Sequence, residues 1–124
     1  MARAGKRTRA PESELPLTPA TFQILMALAE GERHGYAIMK EATESSDGAV
    51  RLGPGTLYGT LKRLLDGGVV EEGGARADPE LGDERRRYYR ITNFGLRVAK
   101  AEARRLEGVL RAAWMKKLIG AEPA

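Results

Sequence analysis

The side chains that could do chemistry in this chain are hydrogen-bond donors and cations, and they concentrate in one stretch. Residues 53–68 read Gly53-Pro54-Gly55-Thr56-Leu57-Tyr58-Gly59-Thr60-Leu61-Lys62-Arg63-Leu64-Leu65-Asp66-Gly67-Gly68. Leu57, Leu61 and Leu64 fall at i, i+4 and i+7, the spacing of one buried helical stripe. The opposite face carries Gly55, Thr56, Gly59, Lys62 and Arg63, with Tyr58 on its flank, and no acid occurs between Asp47 and Asp66. Lysine and arginine neutralise phosphates, hydroxyls hydrogen-bond to phosphates or base edges, and a face of small residues lets a helix approach a major groove. The same pattern also describes an ordinary amphipathic helix with a solvated outer face, so the surrounding elements must decide.

Composition removes bond-breaking chemistry. The 124 residues contain no cysteine and a single histidine, His34, which excludes disulfides, thiolate zinc sites, cysteine nucleophiles and multi-histidine metal centres. No acid pair completes a catalytic constellation. The expectation is a protein that is not an enzyme and has no metal and no cofactor. No apolar run approaches the roughly 18 residues that span a bilayer, and no signal-peptide core is present. A cytoplasmic protein with no membrane partner is expected.

The net charge of +4 resides in the N-terminal arm. Arg3, Lys6, Arg7 and Arg9 supply it, while the remaining basic residues balance the 17 acids. Beyond the arm, Lys62 with Arg63, and Arg85-Arg86-Arg87 with Arg90, form local basic clusters. Such clusters, more than total charge, are the electrostatic footprint of a nucleic-acid binder.

The elements that must position these groups follow from punctuation and periodicity. Residues 1–15 read as a basic, disordered arm. Thr18 is an N-cap and Pro19 an N1 residue for a first helix ending near Gly31. Phe22, Leu25, Met26 and Ala29 make one face of it, while Ile24 and Leu28 lie on another. A helix apolar on two sides must be covered twice, and Ile24 and Leu28 are expected to meet a second subunit. A second helix is predicted from near His34-Gly35-Tyr36 to about Glu44, closed by Ser45-Ser46-Asp47-Gly48. His34 reads as a helix-start residue.

After the glycine-bounded third helix come Val69-Val70-Glu71-Glu72, a turn-rich stretch, and Arg85–Ile91, together predicting a β-hairpin. Alternation places Arg86, Tyr88 and Arg90 on one face of its second strand and Arg87, Tyr89 and Ile91 on the other. Tyr89 and Ile91 are expected in the core, leaving Arg86 and Arg90 for phosphates. A final helix is predicted from about Asn93 to Ile119, capped by Thr92. Its Leu96, Ala99, Ala103, Leu106, Leu110 and Ala113 recur at spacings of three and four, a short dimerisation seam. The fold class is therefore mainly α with a small β-hairpin. A winged helix-turn-helix over residues 16–92 precedes a C-terminal dimerisation helix over 93–120.

Four segments, in order, resemble the PadR family of bacterial transcriptional regulators: Leu28-Ala29-Glu30-Gly31, His34-Gly35-Tyr36-Ala37-Ile38, Gly55-Thr56-Leu57-Tyr58 with Leu61 and Leu64, and Tyr89-Arg90-Ile91-Thr92 leading to Gly95. The single terminal helix makes the chain similar to the small subfamily. The resemblance implies that Tyr58 contacts the DNA backbone and that Gly55 and Thr56 sit where helix N–H groups favour phosphate. It also implies that the first and last helices form a two-fold dimer and that the hairpin is the wing.

The expected partners are a double-stranded DNA operator of pseudo-palindromic sequence and a second copy of the chain, in the manner of a repressor. Thr56, Thr60 and Arg63 are the candidates for base contact; Tyr58, Lys62, Arg76, Arg86 and Arg90 are those for phosphate. Trp114, the sole tryptophan, is the candidate wall of a pocket for a small aromatic effector. Asp78, Glu80, Asp83 and Glu84 in the wing loop oppose DNA. The alternative function is a winged-helix module that dimerises and binds protein without reading DNA.

Overall fold

The computed structural model describes residues 9–77 and 85–120. Helix α1 spans Pro19–Ala29, strand β1 Arg33–His34, α2 Gly35–Ser45, α3 Pro54–Asp66, β2 Val70–Ala77, β3 Arg85–Ile91 and α4 Asn93–Met115. The strands form one antiparallel sheet in the order β1-β3-β2. The hairpin is thus widened by a short strand that the sequence left unassigned. Arg33 pairs with Tyr89 and His34 with Tyr88, so the start of α2 is stitched to the second wing strand.

Helix starts follow the expected chemistry. Thr18 Oγ1 accepts from the Thr21 N–H at 3.1 Å, and Pro19 occupies the first turn of α1. His34 Nδ1 caps α2 by accepting from the Ala37 N–H at 3.2 Å. Thr92 Oγ1 caps α4 through the Gly95 N–H at 2.9 Å and donates its own proton to Gly68 O at 2.7 Å. Gly95 is needed at that point, because a Cβ would run into the Val69 carbonyl oxygen and lie 2.8 Å from Ile91 Cγ1. The last helix is thereby pressed onto the mouth of the hairpin.

Strand β2 runs past Glu72, where the glycine pair Gly73-Gly74 reads as a turn. Glu72 pairs with Tyr89 and Gly74 with Tyr88, leaving Gly73 as the extra residue of a bulge. Gly74 takes φ +99°, a conformation that glycine adopts without steric cost. The strand bends and continues to Ala77.

The core contains Ile24, Leu25, Leu28, Ile38, Leu57, Leu61, Val70 and Val98. Each such side chain contributes about 1.5–3 kcal/mol on leaving water. This overturns one sequence expectation. Ile24 is 0% exposed and Leu28 is enclosed as well, both by the chain's own core, so neither can be the dimer contact assigned to it. Ala99, placed in the seam, is also buried within the chain. The outward stripe of α1 is Phe22, Met26 and Ala29, with Met26 and Ala29 exposed. Two apolar sides were legible in α1, but which side turned inward was not.

The N-terminal arm also needs correction at its near end. Pro11–Glu14 form a 3-10 turn, and Leu15 and Leu17 pack on the core. Arg9 donates to Gly67 O at 2.6 Å, pairs with Glu14 at 3.0 Å and lies 4.8 Å from the Phe94 ring centroid. Gly67 at the end of α3 and Phe94 in α4 are distant in sequence, and such contacts outweigh the local preference for disorder. Arg3, Lys6 and Arg7 lie outside the described residues, as do the wing-loop acids Asp78, Glu80, Asp83 and Glu84.

The last helix ends at Met115 instead of near Ile119. Lys117 turns left-handed at φ +64°, and the Leu118 N–H returns to Ala113 O at 2.9 Å, satisfying a terminal carbonyl.

Candidate nucleic-acid interface

Helix α3 is held by Leu57 and Leu61, both buried, while Gly55, Thr56, Tyr58, Gly59, Lys62 and Arg63 are exposed. The first turn contains no acid, and Pro54 stands where a missing N–H costs nothing. Around Gly59 no atom would meet an added Cβ within 4 Å. Packing therefore does not demand glycine here; the position leaves a notch in the exposed face.

Thr60 is corrected. It is only 4% exposed, and its Oγ1 accepts from Arg63 Nη2 at 3.2 Å. It cannot reach a base; its hydroxyl steers Arg63 across the surface instead. Lys62 lies 3.5 Å from Asp66 with both side chains largely in water, a pair of small energy that phosphate can displace.

Tyr58 is 47% exposed and its ring lies against the first turn of α2. A Cβ on Gly35 would collide with Tyr58 Oη, lie 2.8 Å from Cζ and sit 3.2 Å from Leu57 Cδ2. Gly35 is thus the floor on which Tyr58 rests, which explains physically why His34-Gly35-Tyr36 and Gly55-Thr56-Leu57-Tyr58 occur together. The ring props α3 on α2 with its hydroxyl over Gly35, while nearly half of the residue stays in water.

The second strand of the wing brings Arg86 to the same place. Its Nη1 is 3.0 Å from His34 Nδ1, and its guanidinium lies 5.3 Å from the Tyr36 ring centroid. Since Nδ1 also accepts from Ala37, it carries no proton. His34, Gly35, Tyr36, Met39, Tyr58, Arg86 and Arg87 line a concavity of about 240 Å³ beside α3. Tyr36, exposed beneath Arg86, belongs to this surface as well, beyond the candidates that sequence pattern alone picks out. Its signal was its place beside Gly35 at a helix start.

Other arginines are tied to carboxylates. Arg90 Nε bonds Glu71 at 2.7 Å and its Nη1 lies 3.5 Å from Glu32; the Glu71 hydrogen bond raises its pKa further. Strand alternation places Arg90 beside Arg86, and the carboxylates of Glu71 and Glu32 share its charge. Arg87 pairs with Glu72 at 3.3 Å. Tyr89 is buried, which raises its hydroxyl pKa. Arg76 lies in β2 opposite Arg86.

Along α4 the inward face is Gly95, Val98, Ala99, Ala101 and Glu102. From Ala103 onward no residue of that helix is buried. Leu106 and Ala113 are half-buried, and Ala103, Val109 and Leu110 are exposed, Leu110 to 46%. Leu96 lies half-buried nearer the body. Trp114, Met115, Lys117, Ile119 and Gly120 line a hollow of about 560 Å³ at the helix end. Among the described residues no group of three metal-ligating side chains occurs, and no helix is long and apolar enough to cross a membrane.

Three helices, a short strand and a bulged hairpin with the third helix's polar face exposed define a winged helix-turn-helix. Residues 24–101 match the Transcriptional regulator PadR-like family. The chain belongs to that family, whose members are DNA-binding transcription factors and not enzymes.

A transcriptional regulator from Clostridium thermocellum is similar in structure. It has a TM-score of 0.65 and 27% identity, over 81% of this chain and 89% of that one. A Lysinibacillus sphaericus protein is 33% identical over 72 residues, 58% of this chain and 63% of that protein. A 37.1 kDa protein of transposon TN4556 from Streptomyces fradiae is 56% identical over 45 residues. The chain spans 63% of the Lysinibacillus sphaericus relative's length and 12% of the transposon protein's.

Proposed function

We infer that the chain is a homodimeric transcriptional repressor that binds a pseudo-palindromic DNA operator. The observation that carries this reading is the exposed, acid-free first three turns of α3 flanked by Arg86 and two surface tyrosines. Helix α3 enters the major groove, with Thr56 and Arg63 facing bases. Tyr58, Tyr36, Lys62 and Arg86 hold phosphates on either side. Repression requires only occupancy of the operator, the one step that this reading asks of the chain.

The outward stripe of α1 and the uncovered Leu106, Val109 and Leu110 of α4 provide apolar surface for a second copy. A dyad then places the two recognition helices about one helical turn, roughly 34–36 Å, apart. An aromatic effector fits the hollow beside Trp114, where it would bias the separation of those helices.

The test uses duplexes selected from a random pool by the full-length protein, with affinity read by fluorescence anisotropy across a salt series. Tyr58→Ala and Lys62→Ala should each weaken binding by roughly tenfold, with Lys62→Ala flattening the log–log salt slope by about one. Leu110→Asp should convert dimers to monomers in sedimentation. Salt-independent capture, or affinity unmoved by both substitutions, would reject DNA recognition through α3 and favour a protein-binding module.

A further inference from the structure

Glu102 is a buried carboxylate that the DNA-binding surface does not use. It is 1% exposed, the last buried residue of α4 before the helix leaves the body. Its Oε2 accepts from the Leu17 backbone N–H at 3.2 Å, and Arg105 donates to both oxygens at 2.6 and 2.9 Å. Arg105's hydrogen bonds hold the carboxyl below the usual carboxylate range, aided by the Leu17 N–H and opposed by burial.

The segment bonded to Glu102 has a second anchor. Residues 9–17 run from Leu17 back along α4 through the 3-10 turn to Arg9, which pairs with Glu14 and donates to Gly67 O. Gly67 is the C-cap of the recognition helix. One strap therefore joins the end of α3 to the point where α4 departs. Arg9, Glu14, Leu17, Glu102 and Arg105 all lie outside residues 24–101, the span that matches the family. The strap thus lies beyond the matched span at both of its ends.

We propose that Glu102 and Arg9 are positioning residues that fix the angle between the recognition helix and α4, and so set the half-site spacing the dimer accepts. The inference rests on the dimeric DNA-binding reading above. Beyond Glu102, α4 continues to Met115, about 20 Å at 1.5 Å per residue. A swing of about 10° at Glu102 moves the far end by about 3.5 Å, close to the 3.4 Å rise of one base pair. A dimer joined through these distal halves turns a small change at Glu102 into a change of operator register. Arg105 supplies the geometry as well as the charge, since its fork bonds both carboxylate oxygens at once.

The chain has no cysteine, so Thr56→Cys introduces one labelling site per recognition helix. Nitroxide labels there report the distance across the dimer by double electron–electron resonance. The otherwise wild-type chain should give one narrow distance distribution. Glu102→Gln, which keeps shape and removes charge, should broaden it or shift its mean by about 3 Å or more. Arg9→Met, cutting the opposite anchor without opening the core, should do the same.

Duplexes carrying two selected half-sites at spacings changed one base pair at a time give the functional readout. The unlabelled wild type should discriminate against a one-base-pair error by about tenfold, and each variant by no more than about threefold. Distances and spacing preference unchanged in both variants would overturn the strap's role. Absence of any inter-label distance, or of any duplex binding, in the parent protein would instead overturn the dimeric regulator reading.

Discussion

Replacing Gly35 by alanine isolates the contact that joins the two motif segments. The added methyl would meet Tyr58 Oη and Cζ and, more mildly, Leu57 Cδ2 at 3.2 Å. Overpacking of this kind costs about 1–3 kcal/mol. Two terms reduce it: the half-exposed Tyr58 ring can swing outward, and alanine is favoured over glycine in a helix by up to about 1 kcal/mol. The expected net loss of stability in Gly35→Ala is therefore about 1 kcal/mol.

In a Tyr58→Ala background the principal obstruction is gone. The same Gly35→Ala change should then be neutral or stabilising by up to about 1 kcal/mol. Urea denaturation of the four proteins closes a double-mutant cycle with an expected coupling of about 1–2 kcal/mol. Operator affinity should follow the ring: Gly35→Ala should weaken binding nearly as much as Tyr58→Ala, and the double variant no further. A coupling below about 0.5 kcal/mol would refute the claim that Gly35 exists to seat Tyr58.

Two further outcomes follow from burial and charge. Ile24→Asp buries an unpaired carboxylate in the core and should unfold the chain, whereas Met26→Asp, on the exposed stripe of α1, should leave the thermal midpoint within a few degrees and weaken self-association; a folded Ile24→Asp monomer by melting and sedimentation would reverse the assignment. Glu102→Gln should cost roughly 1–3 kcal/mol at neutral pH. Because the folded pKa of Glu102 lies below its ordinary value of 4.5, its contribution is complete above that value and fades as pH falls through the folded pKa. Denaturation from pH 7 downward should show the wild-type advantage closing below about pH 4.5, and a constant gap would exclude the ionised form as its source.

The helix starts were legible because their determinants are local. Thr18-Pro19, His34-Gly35 and Thr92 each satisfy an orphan N–H within one turn of themselves. Helix α3 was legible because Leu57, Leu61 and the glycines bounding the helix write its period and its ends. Tyr89 was legible as a core residue from strand alternation alone. The match to the family followed from these local features occurring in order.

Partner choice was not legible, since it depends on what the fold brings near. Arg86 and Arg90 share one face of β3, yet Arg86 meets His34 and Tyr36 while Arg90 meets Glu71 and Glu32. Thr60 looked like a base reader until the turn of α3 carried it inward onto the core. The bulge at Gly73-Gly74 and strand β1 arise from pairing across the sheet, which no local pattern specifies.

The sequence by itself thus determined the order of elements, their caps and the polar face of α3, because each is set within a few residues by hydrogen bonding and periodicity. Only the tertiary structure decided which apolar side of α1 faces inward, which neighbours Arg86 and Arg90 each meet, and that Arg9 and Glu102 join α3 to α4 through one strap. Those are competitions between distant groups for the same burial or the same charge, and they are settled by where the whole chain packs.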